Sequence, residues 1–232
     1  MRVSATYVAL IPARGGSRGI LRKNLEKVGD LSLLDRAVNA AIQSSRISDC
    51  IVSSEDDEIL ANAQKAGATP HRRAIAAASD DARAADVVRD FLARFRGEND
   101  RARVVYLQPT SPFRTAKHLD DAILALEKSG QSSLVSVVES PKPPAKAISV
   151  DASGLVALAS SGGDPGANRQ ELESIFYPNG AIYIFDISGF EQSDDIPVAG
   201  ALAHVMGKIE SIDVDDQQDL IIARGVAAFA NI

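Results

Sequence analysis

The chain has 232 residues, of which 45% are hydrophobic and 24% are charged, with a formal net charge of −6. This length is common for one α/β domain, and the net charge argues against nucleic acid or an anionic membrane as a partner. The single cysteine, Cys50, excludes an intrachain disulfide and fits a reducing compartment. Met1–Ala5 leads directly into an apolar run, so no signal peptide is expected. We therefore expect a single domain over residues 1–232 in the cytoplasm, with no nucleic-acid partner and no membrane partner.

The N-terminal region places a glycine-rich loop where a strand gives way to a helix. Tyr7–Ile11 reads as a buried strand that ends at Pro12, and a helical pattern begins soon after residue 24. Open α/β sheets bind ligands beyond the carboxyl ends of their strands, and glycines allow backbone amides to approach such a ligand. The loop and its flank also carry five cations, opposed locally only by Glu26: Arg14, Arg18, Arg22, Lys23 and Lys27.

Amides and cations together predict a site for the triphosphate of a nucleotide. The loop lacks G-x-x-x-x-G-K-[ST], and it also lacks G-x-G-x-x-G followed by an acid about twenty residues later. It is therefore neither a Walker-type loop nor a dinucleotide fingerprint. Glycine and arginine alone would equally suit a basic surface loop, and its position after the first strand favours the binding site.

Alternating strand and helix patterns predict a doubly wound, mostly parallel sheet flanked by helices. Ser32–Asp35 resembles a capping box that opens a helix to about Ser45. The remaining predicted elements follow in chain order: strand Cys50–Ser53, helix Asp56 or Asp57 to Ala66, helix Asp80–Phe95, strand Arg103–Leu107, helix Lys117–Lys128, strand Ser133–Val138, strand Gly180–Phe185, strand Ser211–Asp215 and a terminal helix to Ala230.

Residues 141–177 interrupt this alternation. Proline, glycine, serine and asparagine accumulate there, and short strands are expected near Ala147–Val150 and Leu155–Ala159. We interpret this segment as an excursion from the main sheet that serves as a lid or as a subunit contact.

Asp213 and Asp215 are candidates for a metal site. In a strand, residues two apart point to the same side, so both carboxylates can face one ion. Two carboxylates with phosphate oxygens and water form a usual shell for Mg²⁺. A solvated acidic turn is the alternative interpretation, because Asp-x-Asp alone is weak evidence.

A second polar group follows the strand Arg103–Leu107. Pro109 and Pro112 fix the backbone of the loop and leave Gln108, Thr110 and Ser111 as oriented hydrogen-bonding groups. An ordinary strand-to-helix turn is the alternative, with Thr115 capping the next helix.

Several of these segments share motifs with one enzyme family. The motifs are Ile11–Gly19 with Lys23-Asn24, Leu107–Thr115, Pro143–Lys146, Arg169-Gln170, Asn179–Ile184, and Ser211–Asp215 with Asp219-Leu220. In these motifs the chain resembles the CMP-sialate synthetases, or acylneuraminate cytidylyltransferases, which join CMP from CTP to a nine-carbon acid sugar. The resemblance runs from Ala9 to Leu220 and implies a Rossmann-like nucleotide-sugar transferase fold.

The resemblance also implies roles for individual residues. It assigns catalysis to Arg14, Lys23, Asp213 and Asp215, with Mg²⁺ held by Asp213 and Asp215. It assigns CTP binding to Ala13, Gly15, Gly16, Ser17, Asn24 and Arg73, with Arg72 as the neighbouring alternative to Arg73. It assigns the acid sugar to Gln108, Thr110, Ser111, Lys146, Arg169, Gln170 and Asn179. In the relatives the excursion crosses to a second subunit, which implies a homodimer with shared sites.

The chain departs from the family pattern at several positions. Ser53-Ser54-Glu55 stands where relatives usually have Ser-Thr-Asp, and Ala74 replaces a proline after Arg73. Tyr177 stands where sialate-using members commonly have an arginine. Two alternatives therefore stay open: a cytidylyltransferase for an eight-carbon acid sugar of the 3-deoxy-octulosonate type, and a nucleotide-binding module without turnover. The sequence does not identify a general base.

Overall fold

A seven-stranded sheet forms the centre of the computed structural model, which describes residues 6–16, 19–79, 81–95, 102–159, 162–168 and 172–230. The strands in chain order are β1 (Tyr7–Pro12), β2 (Lys27–Val28), β3 (Leu31–Ser32), β4 (Ile47–Ser54), β5 (Thr69–Arg72), β6 (Arg103–Tyr106), β7 (Ser133–Glu139), β8 (Ile148–Val150), β9 (Val156–Leu158), β10 (Phe176–Asp186) and β11 (Leu202–Val205). The α-helices are α1 (Leu33–Ile42), α2 (Asp57–Lys65), α3 (Ala84–Phe95), α4 (Ala116–Ser129), α5 (Ile187–Ser193) and α6 (Gln217–Ala230). Short 3₁₀ turns lie at Lys23–Leu25, Ile75–Ala78 and Pro144–Lys146.

The strand order β11-β7-β10-β6-β1-β4-β5 creates a topological switch point in the middle of the sheet. From β1 the chain moves outward through β4 and β5 and then returns to place β6 on the other side of β1, with all these pairings parallel. Ligands of open α/β sheets bind at such a point, outside the carboxyl ends of the strands. β10 runs antiparallel to both β6 and β7, so its N-terminal half lies at this same edge.

The alternation of side chains along β1 explains why this strand lies at the centre of the sheet. Val8 and Leu10 pack into one apolar cluster with α3 and α5, while Ala9 and Ile11 pack into another with α1, α2 and α4. A strand buried on both faces reads as a continuous apolar run in the sequence. Packing of helices on both faces thus holds β1 in the centre of the sheet, and the glycine-rich loop begins where this strand ends.

A third apolar cluster holds together the loops beyond that edge. Its members come from the glycine-rich loop, β2, the start of α1, the segments that precede α4 and α6, and α6 itself: Ile20, Val28, Leu33, Phe113, Val214, Leu220, Ala223 and Ala227. All of these side chains are buried. This "loop cluster" brings together the glycine-rich loop, the Leu107–Thr115 motif and the motif of Ser211–Asp215 with Asp219-Leu220.

The local signals at the helix starts are confirmed by the structure. Ser32 and Asp35 form the expected capping box of α1, and Asp56 caps α2 by accepting from the backbone amide of Ile59. Thr115 caps α4 as predicted. These caps place the helix starts within one residue of their predicted positions for α1, α2 and α4.

Several element predictions need correction. Ser211–Asp215 is not a strand but an extended loop, in which the Val214 amide donates to the Thr110 carbonyl at 2.9 Å. β11, which the sequence did not predict, forms one edge of the main sheet beside β7. The helix expected from Asp80 begins at Ala84, because the 3₁₀ turn Ile75–Ala78 and an irregular segment precede it. The helical spacing of apolar residues in α1 predicts that Ile42 faces the core, but this side chain is 48% exposed.

The excursion contains the two short strands that the sequence predicts. β8 and β9 pair antiparallel as a two-stranded sheet separate from the main one. Across the described ranges, no helix is both long and apolar enough to cross a membrane.

Candidate active site

A cleft of about 490 Å³ lies over the carboxyl ends of β1 and β6, at the switch point. The lining residues are Pro12, Arg14, Gly19, Lys23, Asn24, Arg73, Ala77, Ser79, Ala82, Arg83, Ala84, Val87, Tyr106, Gln108, Pro109, Thr110, Asp213 and Asp215. Eight of them are residues that the sequence predicts for the site: Arg14, Lys23, Asn24, Arg73, Gln108, Thr110, Asp213 and Asp215. The glycine-rich loop and the late aspartates, nearly 200 residues apart in sequence, thus share one cleft.

The described residues of the glycine-rich loop form hydrogen bonds to the loop backbone and to β4. The side chain of Asn24 donates to the carbonyl of Arg14 at 3.0 Å, which closes the loop on itself. The amide of Ala13 donates to the carbonyl of Ser53 at 2.9 Å. Asn24 is buried, with 5% exposure, and its side-chain amide connects the two ends of the loop.

The individual positions of the loop differ in what they offer a ligand. The amide of Gly15 is already bound, since it donates to Glu55 Oε1 at 2.7 Å. A Cβ atom built at Gly16 would meet nothing within 4 Å, so open space surrounds this residue. Ser17, another predicted CTP ligand, lies outside the described residues, as does Arg18.

The loop cations have acidic partners from distant parts of the chain. Arg22 lies 3.0 Å from Asp56 and 2.6 Å from Glu58. Lys23 lies 3.0 Å from Asp215. Glu26 is the acid that opposes these charges in the local sequence, and folding adds carboxylates of α2 and of the 213–215 segment.

Lys23 and Asp215 connect the two halves of the cleft. The Lys23 side chain is 15% exposed, whereas the Asp215 side chain is 76% exposed and open to solvent. A Cβ atom at Gly19 would lie 2.5 Å from the Asp215 carbonyl oxygen, so the two backbones touch at a position that admits only glycine. This contact fixes the distance between the loop and the aspartates.

Asp213 is the less exposed member of the aspartate pair. Burial raises its pKa, an interaction with the Thr110 side chain lowers it, and the nearby Asp215 raises it further. Asp213 Oδ1 is buried and has no hydrogen-bond partner within the described part of the chain. A buried, unpartnered carboxylate oxygen beside a second carboxylate is a donor set that fits a divalent cation. No group of three or more His, Cys, Asp or Glu side chains suited to a metal occurs among the described residues, so the remaining ligands would come from phosphate and water.

Gln108 lines the cleft between β6 and the start of β10. Gly180 has φ +76°, and a Cβ atom built on it would lie 2.5 Å from Gln108 Oε1 and 3.7 Å from Asp213 Oδ2. The absence of a side chain at Gly180 therefore lets the Gln108 carboxamide approach the β10 backbone closely. The ladder between β10 and β7 is irregular between Pro178 and Tyr183, which places this glycine outside regular pairing.

Arg114 holds the backbone of Gln108 in place through hydrogen bonds. Its guanidinium donates to the carbonyls of Gln108 and Ala181 at 2.9 and 2.8 Å. The side chain is fully buried, and burial lowers its pKa to about 10. It remains charged at neutral pH and ties the end of β6 to β10.

Arg73 is the predicted base-binding arginine that enters the cleft. Its side chain is 3% exposed and pairs with Glu55 at 3.0 Å. Arg72, the neighbouring alternative, points elsewhere: it pairs with Asp57 in an exposed contact and donates to the Glu55 carbonyl. The structure thus separates the two arginines.

Comparison with known proteins identifies the family. A family model described as cytidylyltransferase matches residues 8–161, which contain the whole glycine-rich loop, Arg73 and Gln108. The chain belongs to the cytidylyltransferase family. Asp213 and Asp215 lie beyond the matched range, so their place in the cleft is a separate finding of the structure.

Curated relatives of this family member include several N-acylneuraminate cytidylyltransferases. The protein from Streptococcus agalactiae serotype V is 29% identical over 92% of this chain and 51% of its own length. The protein from Escherichia coli O18:K1:H7 is 31% identical over 93% of this chain and 51% of its own length. The chain therefore spans about half the length of these relatives. The post-translational flagellin modification protein B of Campylobacter coli is 27% identical over 91% of both chains.

Solved structures share the fold of this family member at low sequence identity. A CMP:2-keto-3-deoxy-manno-octonic acid synthetase complexed with CTP superimposes with a TM-score of 0.71 over 97% of this chain and 100% of that chain, at 15% identity. A 4-diphosphocytidyl-2C-methyl-D-erythritol synthase from Anaerococcus prevotii gives a TM-score of 0.65, at 14% identity, over 97% of this chain and 99% of that chain. Both confirm the Rossmann-like nucleotidyltransferase architecture predicted from the sequence.

The predicted sugar-binding residues are more dispersed than the nucleotide-binding residues. Ser111 is buried and does not line the cleft, and Lys146 lies in the 3₁₀ turn of the excursion. Asn179 is 6% exposed, and its amide group bonds to Ser136 at 2.5 Å and to Ser211 at 2.8 Å. Asn179 therefore supports the segment that carries the two aspartates, through its hydrogen bond to Ser211. Arg169 and Gln170 lie outside the described residues.

Several residues at the site, including four with polar side chains, were missed by sequence reasoning. Tyr106 and Arg83 line the cleft, and Glu55 and Asp56 contact the loop. Tyr106 immediately precedes the predicted Gln108 motif, so its position at the end of β6 was an available signal. Arg83 was hidden because the sequence placed it inside a helix rather than in the irregular segment before α3.

Proposed function

We propose that this chain carries the CTP-dependent activation of an acid sugar, giving a CMP-sugar and pyrophosphate. The main support for this proposal is that Arg14 and Lys23 of the glycine-rich loop line the same cleft as Asp213 and Asp215. The family membership and the N-acylneuraminate cytidylyltransferase relatives support a sialic-acid-like nine-carbon sugar as the acceptor.

In the proposed reaction the anomeric hydroxyl of the sugar attacks the α-phosphorus of CTP. The new oxygen–phosphorus bond forms as the bond to the β-phosphate breaks, and pyrophosphate leaves. Such a step asks the protein chiefly for positioning and for stabilisation of developing charge. Arg14 and Lys23 would stabilise the charge that accumulates on the leaving pyrophosphate.

Asp213 and Asp215 would hold Mg²⁺, for which the unpartnered oxygen of Asp213 is the structural support. Mg²⁺ would neutralise phosphate charge and lower the pKa of the attacking hydroxyl. Lys23, which is bound to Asp215 at 3.0 Å, would hold that carboxylate in register with the loop.

The remaining residues divide between base and sugar. Arg73 would contact the cytosine and Asn24 would hold the loop at the ribose, while Gln108 and Thr110 would contact the acid sugar from the floor of the cleft. Ser111 and Asn179 would support that floor. Lys146, Arg169 and Gln170 would reach the sugar or phosphate from the excursion.

We also propose that two copies of the chain form a homodimer through the excursion. The β8–β9 hairpin exposes apolar side chains on its surface, with Leu155 at 68% and Val156 at 65%. Contiguous exposed apolar surface of this kind marks an interaction site. A second copy would cover it and bring its own excursion residues to the cleft. The single buried Cys50 supports a cytoplasmic location for the assembly.

A panel assay tests the proposed function. Pyrophosphate release from CTP is measured with nine-carbon acid sugars, eight-carbon acid sugars and no sugar, each with and without Mg²⁺. We expect Mg²⁺-dependent release with a nine-carbon sugar. Release with eight-carbon sugars alone would favour the octulosonate alternative, and tight CTP binding without release on any sugar would favour a binding module.

A further inference from the structure

Glu55 joins the glycine-rich loop to the arginine assigned to the base. One carboxylate oxygen accepts from the Gly15 amide at 2.7 Å, and the other accepts from Arg73 Nη2 at 3.0 Å. We propose that Glu55 is a positioning residue for the nucleotide, which fixes the loop and Arg73 relative to each other and makes their part of the cleft selective for a neutral base. This inference rests on the proposed function, because it takes CTP as the ligand.

The burial of Arg73 explains why a carboxylate is needed at this position. The Arg73 side chain is 3% exposed, and a buried guanidinium without a counter-charge is strongly unfavourable. Its backbone amide donates to the carbonyl of Ser54 at 2.9 Å, so residues 54 and 55 hold both its backbone and its side chain. Arg73 Nε has no hydrogen-bond partner among the described residues, so a bound ligand would have to satisfy a donor here.

Glu55 neutralises the charge of Arg73, and this affects which part of a nucleotide can bind beside the arginine. An uncompensated arginine in a cleft attracts phosphate through its charge. With Glu55 bound, Arg73 instead offers hydrogen bonds with little net charge, which suits the neutral carbonyl and ring nitrogen of cytosine. Glu55 would therefore help to set which end of the nucleotide enters which part of the cleft.

Asp56, the residue that follows Glu55, also contacts the glycine-rich loop. A Cβ atom built on Gly15 would lie 2.7 Å from Asp56 Oδ2, so the loop backbone packs directly on the turn between β4 and α2. Asp56 also pairs with Arg22 at 3.0 Å. Two consecutive acidic residues thus fix the start of the loop, and a shift of this turn would move both the loop and Arg73.

The length of the side chain matters to the bridge. An aspartate at position 55 would be shorter by one carbon–carbon bond, about 1.5 Å. It could accept from Gly15 or from Arg73, but a backbone shift would be needed for both. Glu55→Asp is therefore a graded variant that keeps the charge and weakens the bridge.

The test compares two ligands by titration calorimetry: CTP, and inorganic tripolyphosphate as a probe of the phosphate site alone. For Glu55→Gln we expect CTP affinity to fall about tenfold, because Arg73 loses its counter-charge and its fixed orientation. Tripolyphosphate affinity should stay the same or rise. Glu55→Asp should fall between wild type and Glu55→Gln in CTP affinity.

The matched control is Asp57→Asn, which removes a carboxylate two residues away whose partner, Arg72, lies outside the cleft. It should leave both affinities unchanged. Equal losses of CTP and tripolyphosphate in Glu55→Gln would overturn the inference, because they indicate general damage to the fold. Tighter CTP binding would also overturn it, because Glu55 would then be a group that phosphate must displace. A wild-type chain that does not bind CTP would contradict the proposed function itself.

Discussion

Lys23 is the residue that most directly joins the glycine-rich loop to the aspartate pair. Its ammonium group lies 3.0 Å from Asp215 while its side chain is 15% exposed, so the charge is held in a largely buried position inside the cleft. A preorganised charge of this kind stabilises a transition state without reorganisation at the moment of reaction. The sequence identified this lysine, but it gave no sign of the ion pair, because the partner is 192 residues away.

Lys23→Ala should lower kcat about 10²–10³-fold, the usual cost of one preorganised charge. Steady-state measurement of pyrophosphate release from CTP checks this loss. The control is Lys27→Ala, which should leave kcat unchanged, because the structure places this loop cation at an exposed position of β2 that does not line the cleft. Near-normal turnover in Lys23→Ala would refute the catalytic assignment.

Gly180→Ala should lower activity by more than its effect on stability explains. The backbone has φ +76°, and the new methyl group would lie 2.5 Å from Gln108 Oε1, so the carboxamide must leave its place in the cleft. Thermal unfolding and the KM for the acid sugar measure the two effects separately.

Gly130→Ala is the matched control for Gly180→Ala. Gly130 ends α4 with φ +73°, and a Cβ atom there would meet nothing within 4 Å. Both variants should lose about 1–2 kcal/mol of stability from the backbone strain, whereas Gly180→Ala alone should raise the KM for the sugar. An equal effect of both variants on KM would show that Gln108 does not need this position.

At the scale of elements, the sequence predicted what local signals determine and missed what tertiary contacts determine. The capping residues Ser32, Asp56 and Thr115 fixed the starts of three helices because their hydrogen bonds are made within one turn. The segment 211–215 alternates like a strand, yet it forms a loop because Val214 is buried in the loop cluster and bonds to Thr110. That outcome depends on residues a hundred positions away, which no local pattern records.

The contacts of Glu55 and Arg22 were missed for the same reason. The sequence showed an acidic stretch at residues 55–58 and a basic loop at 13–24, but it gave no reason to place them against each other. The parallel pairing of β1 with β4 sets both at the same sheet edge. The prediction that strand ends carry the site was therefore sufficient for Arg14, Lys23 and Gln108, and insufficient for their partners.

The β8–β9 hairpin should carry the dimer contact. Val156→Asp puts a charge on its exposed apolar surface and should convert a wild-type dimer into a monomer in sedimentation velocity experiments. The residue is 65% exposed in the single chain, so the substitution should not destabilise the monomer itself.

The control for the hairpin variant is Ile221→Asp, which places the same charge on a 61% exposed position of α6, outside the excursion. This variant should remain dimeric. A wild-type chain that sediments as a monomer at micromolar concentration, or a Val156→Asp chain that stays dimeric, would contradict the assignment of this surface.

At the scale of the whole molecule, the strand order creates the cleft, and the loop motifs supply the side chains that line it. The switch between β1 and β6 leaves a crevice at one sheet edge, and β10 runs in the reverse direction so that Gly180 lies beside Gln108 and Asp213, which line that crevice. The strand order could not be derived from the sequence, because antiparallel β10 and the edge strand β11 are defined by long-range pairing. The cleft is nevertheless the place where the predicted residues meet.

The central claim is that the glycine-rich loop and the aspartate pair form one site for CTP and Mg²⁺. The most direct measurement is the calorimetric affinity for CTP with and without Mg²⁺, in the wild-type chain and in Asp213→Asn. We predict that Mg²⁺ strengthens CTP binding about tenfold or more in the wild type, and that Asp213→Asn removes this gain while it preserves binding without metal. An undiminished gain from Mg²⁺ in Asp213→Asn would contradict the account.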